Sequence, residues 1–103
     1  PAATRIRLVL ERLAEQGEDL YGTPHHLHED EAAFFLAMES CPYCAEIARR
    51  AREAGKPIAR PVCHVPAAII EEMIEWATGR KHLVEETACI ATGDPICRFR
   101  IAR

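Results

Sequence analysis

The chain is short of aromatic residues, has no basic excess and contains no long apolar run, and each shortage narrows what it can be. Phe, Trp and Tyr together make up 6% of the 103 residues, so a core must be built largely from Ala, Ile, Leu and Val. Thirteen basic residues stand against 16 acidic ones, a net charge of −3. A dedicated nucleic-acid binder normally carries a basic stripe or excess, so no nucleic-acid partner is expected. No apolar stretch approaches the roughly 18 residues of a membrane span, and no secretory signal pattern is present. The expectation is a cytoplasmic protein with no membrane partner. Gly-rich phosphate loops, a nucleophile elbow and the HExxH pattern are missing as well.

What is present is a globular composition, 49% hydrophobic and 28% charged. A chain of this length is expected to fold as a single domain over residues 1–103. Ile6, Val9, Leu10 and Leu13 fall on one face of a helix, with Gly17 as a plausible stop. Residues 21–30 (YGTPHHLHED) read as a loop, and the short apolar run Ala32 to Met38 as a buried strand. Ala45, Ile47, Ala48 and Ala51, closed by Gly55, suggest a second helix. A third begins near Pro66, buries Ile69, Ile70, Met73, Ile74 and Ala77, and stops at Gly79. HLVEETACIA, TGDP and ICRFRIA then read as strand, turn and strand. The predicted class is α+β: a twisted antiparallel sheet with helices packed on one face and a C-terminal β-hairpin.

Cysteine carries most of the information. Five in a chain this short, an odd number without a secretory signal, argue for metal ligands or a reactive thiol over a disulfide framework. Glu86, Cys89 and Cys97 have the spacing E-x2-C-x7-C, and Cys63 lies upstream in Pro61-Val62-Cys63. Three thiolates and a carboxylate can form a tetrahedral zinc site; the bland reading of each cysteine is a small buried hydrophobe. A regular strand would point Glu86 and Cys89 to opposite faces, so one ion can take both only if a bulge or the strand end re-aims one. Two registers are open. One sets Ile90 opposite Cys97 and Glu86 opposite Ile101, on the apolar face. The other sets Cys89 opposite Cys97 and Glu86 opposite Arg100, as a cross-strand ion pair.

Cys41-Pro42-Tyr43-Cys44 is a second candidate, either a metal half-site or a redox pair. Strand, CPYC and helix resemble the glutaredoxin active site locally, with a helix N-terminus that favours a thiolate at Cys41. The rest of the sequence lacks the strand and helix a thioredoxin-type fold needs next. His25, His26 and His28, beside Glu29, Asp30 and Glu31, can bind metal or simply form a solvated loop. Trp76 reads as packing or as the wall of an apolar pocket.

The C-terminal residues carry a resemblance. Val84, Glu85 or Glu86, Cys89, Ala91, Gly93, Cys97, Arg98 and Phe99, preceded by the PVC segment and an Ile-rich helix, resemble the signature of the 4-vinyl reductase domain family. This family is also described as predicted hydrocarbon-binding domains. The resemblance implies a fold similar to the ligand-binding domain of nitric-oxide-signalling and Golgi-transport proteins. It also implies a structural zinc on Cys63, Glu86, Cys89 and Cys97. Cys41 and Cys44 are not required by that zinc site and are left for a second metal site or a redox role. The functional expectation is a zinc-stabilised binding or sensing domain for a small hydrophobic or aromatic ligand, held between helices and sheet by Phe34, Leu36, Ile70, Ile74 and Trp76. A homodimer is expected, because the apolar helix faces exceed what one thin sheet can cover. The alternatives are a tetrapyrrole vinyl-group reductase or its accessory protein, and a CxxC thiol-redox or iron–sulfur protein.

Overall fold

The computed structural model describes residues 1–58 and 64–103, with the backbone alone at His64 and Val65. Its elements in chain order are helix α1 (Ala2–Tyr21), strands β1 (His25–Glu29) and β2 (Ala33–Met38), helices α2 (Pro42–Glu53) and α3 (His64–Thr78), and strands β3 (Val84–Ala88) and β4 (Cys97–Ala102). The strands form one antiparallel sheet in the order β1-β2-β4-β3. The α+β class and the antiparallel sheet agree with the sequence reading.

The core follows from the two-residue period of the central strands. Phe34, Leu36 and Met38 of β2 stand opposite Ile101, Phe99 and Cys97 of β4, and all six are buried. Ile6 and Leu10 of α1 and Ile70 and Ile74 of α3 close over this face. Helix α2 lies elsewhere, against the β3–β4 connection. The opposite sheet face carries His26, His28, Phe35, Arg98 and Arg100.

Three sequence expectations need correction. Helix α1 runs through Gly17 and ends at Gly22, whose φ of 64° is the left-handed cap and whose N–H donates to the Glu18 carbonyl. Gly17 serves instead as a point of close approach. A Cβ there would collide with Nε2 and Cε1 of His25, in a ring held by its Nδ1 contact with the Thr23 carbonyl at 2.9 Å. Gly17→Ala should therefore destabilise the fold by about 1–2 kcal/mol, overpacking outweighing the gain of up to about 1 kcal/mol in helix propensity. Thermal melting checks this, and an unchanged or raised midpoint would refute it.

Second, residues 25–29 form an edge strand, where the sequence suggests a loop. Leu27 is its only apolar residue, so the ladder to β2 decides its conformation. Asp30 closes that hairpin: its Oδ1 accepts from the N–H groups of Ala32 and Ala33, each at 2.8 Å. Those two bonds, Ala33 first, hold its carboxyl below the usual range.

Third, β3 and β4 do not keep one register throughout: beyond a bulge Ala88 opposes Arg98, as in the second expected register, whereas before it the pairing is shifted by one residue. Val84, Glu85 and Glu86 oppose Ile101, Arg100 and Phe99; then Ala88 opposes Arg98. Thr87 is the extra residue of a bulge, and its hydroxyl accepts from Arg98 Nε at 2.9 Å. The connection is also no tight turn. It contains a single 3-10 turn, Ile90–Thr92, ended by Gly93 at φ 101°, a conformation that suits glycine.

Candidate metal centre

The bulge has a direct chemical consequence. Glu86 faces inward opposite Phe99, Thr87 takes up the additional residue, Ala88 stands opposite the outward Arg98, and Cys89 returns to the inner side. Residues three apart thus share one face, as a bulge allows and a regular strand does not. The following loop fixes Cys89 through its backbone. The Cys89 N–H donates to Asp94 Oδ2 at 2.9 Å, and its carbonyl accepts from the Thr92 hydroxyl at 2.8 Å. Across the hairpin, Cys97 begins β4, and its Sγ accepts from the Ile90 N–H at 3.4 Å.

The fourth member comes from α2. Cys41 caps this helix in an extended conformation, Pro42 opens it, and Cys44 sits in its first turn. Fixed φ and a missing N–H make proline well suited to that first position. Helix α2 docks on the β3–β4 connection and so places Cys44 Sγ 3.7 Å from Cys89 Sγ and 3.6 Å from Cys97 Sγ. One donor atom from each of Cys44, Glu86, Cys89 and Cys97 lies within 4.8 Å of the other three. The three cysteines are fully buried and Glu86 is half-buried.

This geometry suits a tetrahedral ion. Zinc–sulfur bonds of about 2.3 Å in a tetrahedron set two sulfurs about 3.8 Å apart, close to both sulfur separations seen here. Three sulfurs and a carboxylate oxygen are also a donor set that zinc accepts. Cys44 lies at the N-terminal end of α2, where the helix dipole favours negative charge, and the Ile90 N–H donates to Cys97 Sγ.

Residues 34–103, which include all four donors, match the family model of the 4-vinyl reductase domain. The chain belongs to the 4-vinyl reductase domain family. It is similar to the bacteriochlorophyll synthase 23 kDa chain of Cereibacter sphaeroides, with 37% identity over 67 residues. That stretch is 65% of this family member but 32% of the relative, so the chain spans about a third of the relative's length. No solved structure matches it.

The structure brings Glu86, Cys89 and Cys97 together as the spacing suggests; Cys63 lies outside the described residues. Cys44, which the sequence assigns to a separate half-site or redox pair, joins them. Its CxxC spacing and helix-start position are visible in the sequence, but nothing local shows that α2 packs on the β3–β4 loop. Cys41 is equally buried and is not one of the four clustered donors. The glutaredoxin likeness stops at the local sequence, since β2 is antiparallel to both its neighbours. The histidines diverge. His25 packs on Gly17, His26 lies 3.7 Å from Glu39, and His28 lies beside the Phe35 ring.

Of the residues expected to line a pocket, Phe34, Leu36, Ile70 and Ile74 are buried in the core, whereas Trp76 is 86% exposed. Two surface grooves of about 400 Å³ flank α3 and α2, and none of these five residues lines either. Among the described residues, no helix is long and apolar enough to cross a membrane.

Proposed function

We propose that this chain is a zinc-stabilised module that binds a small hydrophobic ligand of the tetrapyrrole class, in an accessory or sensing role. The observation that carries the zinc reading is the convergence of Cys44, Glu86, Cys89 and Cys97 at separations suited to a tetrahedron. When bound, zinc supplies a cross-link between three parts of the chain. Cys44 ties down α2, Glu86 and Cys89 hold the bulged end of β3, and Cys97 holds the start of β4. In a domain this small, such binding energy is folding energy. Among the described residues, Cys44 adds a donor to the Glu86, Cys89 and Cys97 that the resemblance also names. Cys44→Ser is then expected to release zinc, as metal analysis of the purified variant would show; unchanged zinc content would remove Cys44 from the ligand set.

The relative's name, a chain of bacteriochlorophyll synthase, supports tetrapyrrole as the ligand class. Ile69 and Trp76 lie two helical turns apart on one exposed face of α3, where a flat apolar molecule can stack. Ile70 and Ile74 lie on the opposite, buried side of the same helix, in one core with Phe34 and Leu36. A homodimer pairing through α1 and α3 would cover the same exposed residues. Addition of a chlorin should quench Trp76 fluorescence and raise the melting temperature. If a chlorin does neither, the ligand reading fails while the zinc reading stands.

The bulge offers a separate test. Deleting Thr87 leaves Glu86 and Cys89 two residues apart, on one face of a regular strand. The deletion variant should therefore still hold one zinc, with the two side-chain bonds between Thr87 and Arg98 lost. Loss of zinc with the fold intact would show that the donors depend on the bulged geometry itself.

A further inference from the structure

Away from the cysteine centre, one buried group has chemistry that the fold leaves unused. His82 lies between α3 and β3 and is 6% exposed. Its Nδ1 is 2.9 Å from the Ala102 carbonyl. A carbonyl can only accept, so the proton sits on Nδ1 and the lone pair on Nε2. That Nε2 is buried and has no hydrogen-bond partner among the described residues. Buried polar atoms are rarely left this way, because desolvation is then uncompensated.

His82 also lines the groove of about 410 Å³ beside α3, together with Glu71, Glu72, Glu75 and Lys81. Glu71 and Glu75 are one helical turn apart and project on the same side of α3. With three carboxylates against one ammonium, the groove attracts cations. A histidine whose second nitrogen donates to a backbone carbonyl has the orientation and tautomer that metal-ligating histidines use.

We propose that this groove is a second divalent-cation site, with His82 Nε2 as its anchor and the Glu71 and Glu75 carboxylates closing over the ion. Nitrogen and oxygen donors without sulfur suit a borderline cation such as zinc, nickel or copper. The glutamates are exposed and close by side-chain rotation, while Lys81, also exposed, swings outward as the ion takes over its counter-charge role. The carboxylate side of the site is open to solvent, whereas Nε2 is buried, and the ion exchanges faster than one in the fully buried cysteine centre.

The test titrates zinc into the full chain after the cysteine centre has taken up what it binds. Calorimetry counts equivalents, and long-range ¹H–¹⁵N spectra read each imidazole. A second, weaker equivalent is expected, with the His82 Nε2 resonance shifting and those of the other four histidines unchanged. Glu71→Gln combined with Glu75→Gln should weaken this step tenfold or more without lowering the melting temperature, and His82→Gln should abolish it. The glutamate variant keeps the test decisive if His82→Gln fails to fold. The proposal is overturned if no second equivalent binds, if its affinity is unchanged in the glutamate variant, or if the shift appears at any of the other four histidines instead. The imidazole signal reports on His82 directly, so the outcome stands whether or not the cysteine centre holds metal.

Discussion

Cys97→Ser is expected to take the zinc content from about one per chain to near zero and to remove cooperative melting, or lower its midpoint by about 20 °C. Cys97 sits at the convergence of the site, 3.6 Å from Cys44 Sγ and bonded by the Ile90 N–H. Serine keeps the size but is a far poorer zinc ligand. Structural zinc binding in small peptides is worth about 10–16 kcal/mol, comparable to the roughly 5–15 kcal/mol that holds a whole domain together. Cys41→Ser is the matched control, since Cys41 is equally buried but is not one of the four clustered donors. It should keep its zinc. Elemental analysis and circular-dichroism melting of the two variants make the comparison, and equal zinc retention in both would defeat the assignment.

Phe99→Ala should produce the largest loss that involves no metal ligand. The ring is fully buried at the centre of the sheet, opposite Leu36 on β2 and Glu86 on β3. Removing a buried Phe side chain costs about 3–5 kcal/mol, because transfer energy and cavity energy add. At about 4–8 °C per kcal/mol for a domain of this size, the midpoint should fall by at least about 12 °C. At low temperature, where the variant is folded, zinc should still bind at full stoichiometry. A smaller shift would mean that the helices over Phe99 can collapse into the cavity.

The two outcomes draw on parts of the molecule that are unequally legible in the sequence. β2 is readable as the continuous apolar run Ala32 to Met38, and β4 because Cys97, Phe99 and Ile101 repeat at the two-residue period of a half-buried strand. α3 is readable from its apolar face and the Gly79 stop. β1 is not, because HHLHE offers a single apolar residue and its strand conformation depends on pairing with β2. Gly17 misleads for a related reason: nothing nearby in sequence shows that the His25 ring presses on the helix there.

The site divides in the same way. Glu86, Cys89 and Cys97 are visible as a spacing, and the need for a bulge follows from strand geometry, but its place at Thr87 does not. Cys44 carries a recognisable motif whose partner depends on how α2 docks. His82 gives no signal, since its tautomer and burial arise from the Ala102 carbonyl, distant in sequence.

The central claim is a zinc held by three sulfurs and one carboxylate oxygen, and X-ray absorption at the zinc edge of the purified chain tests it most directly. The predicted shell has three sulfurs at about 2.3 Å and one oxygen at about 2.0–2.2 Å. A shell of four sulfurs, or a chain that melts unchanged with no metal bound, would contradict it.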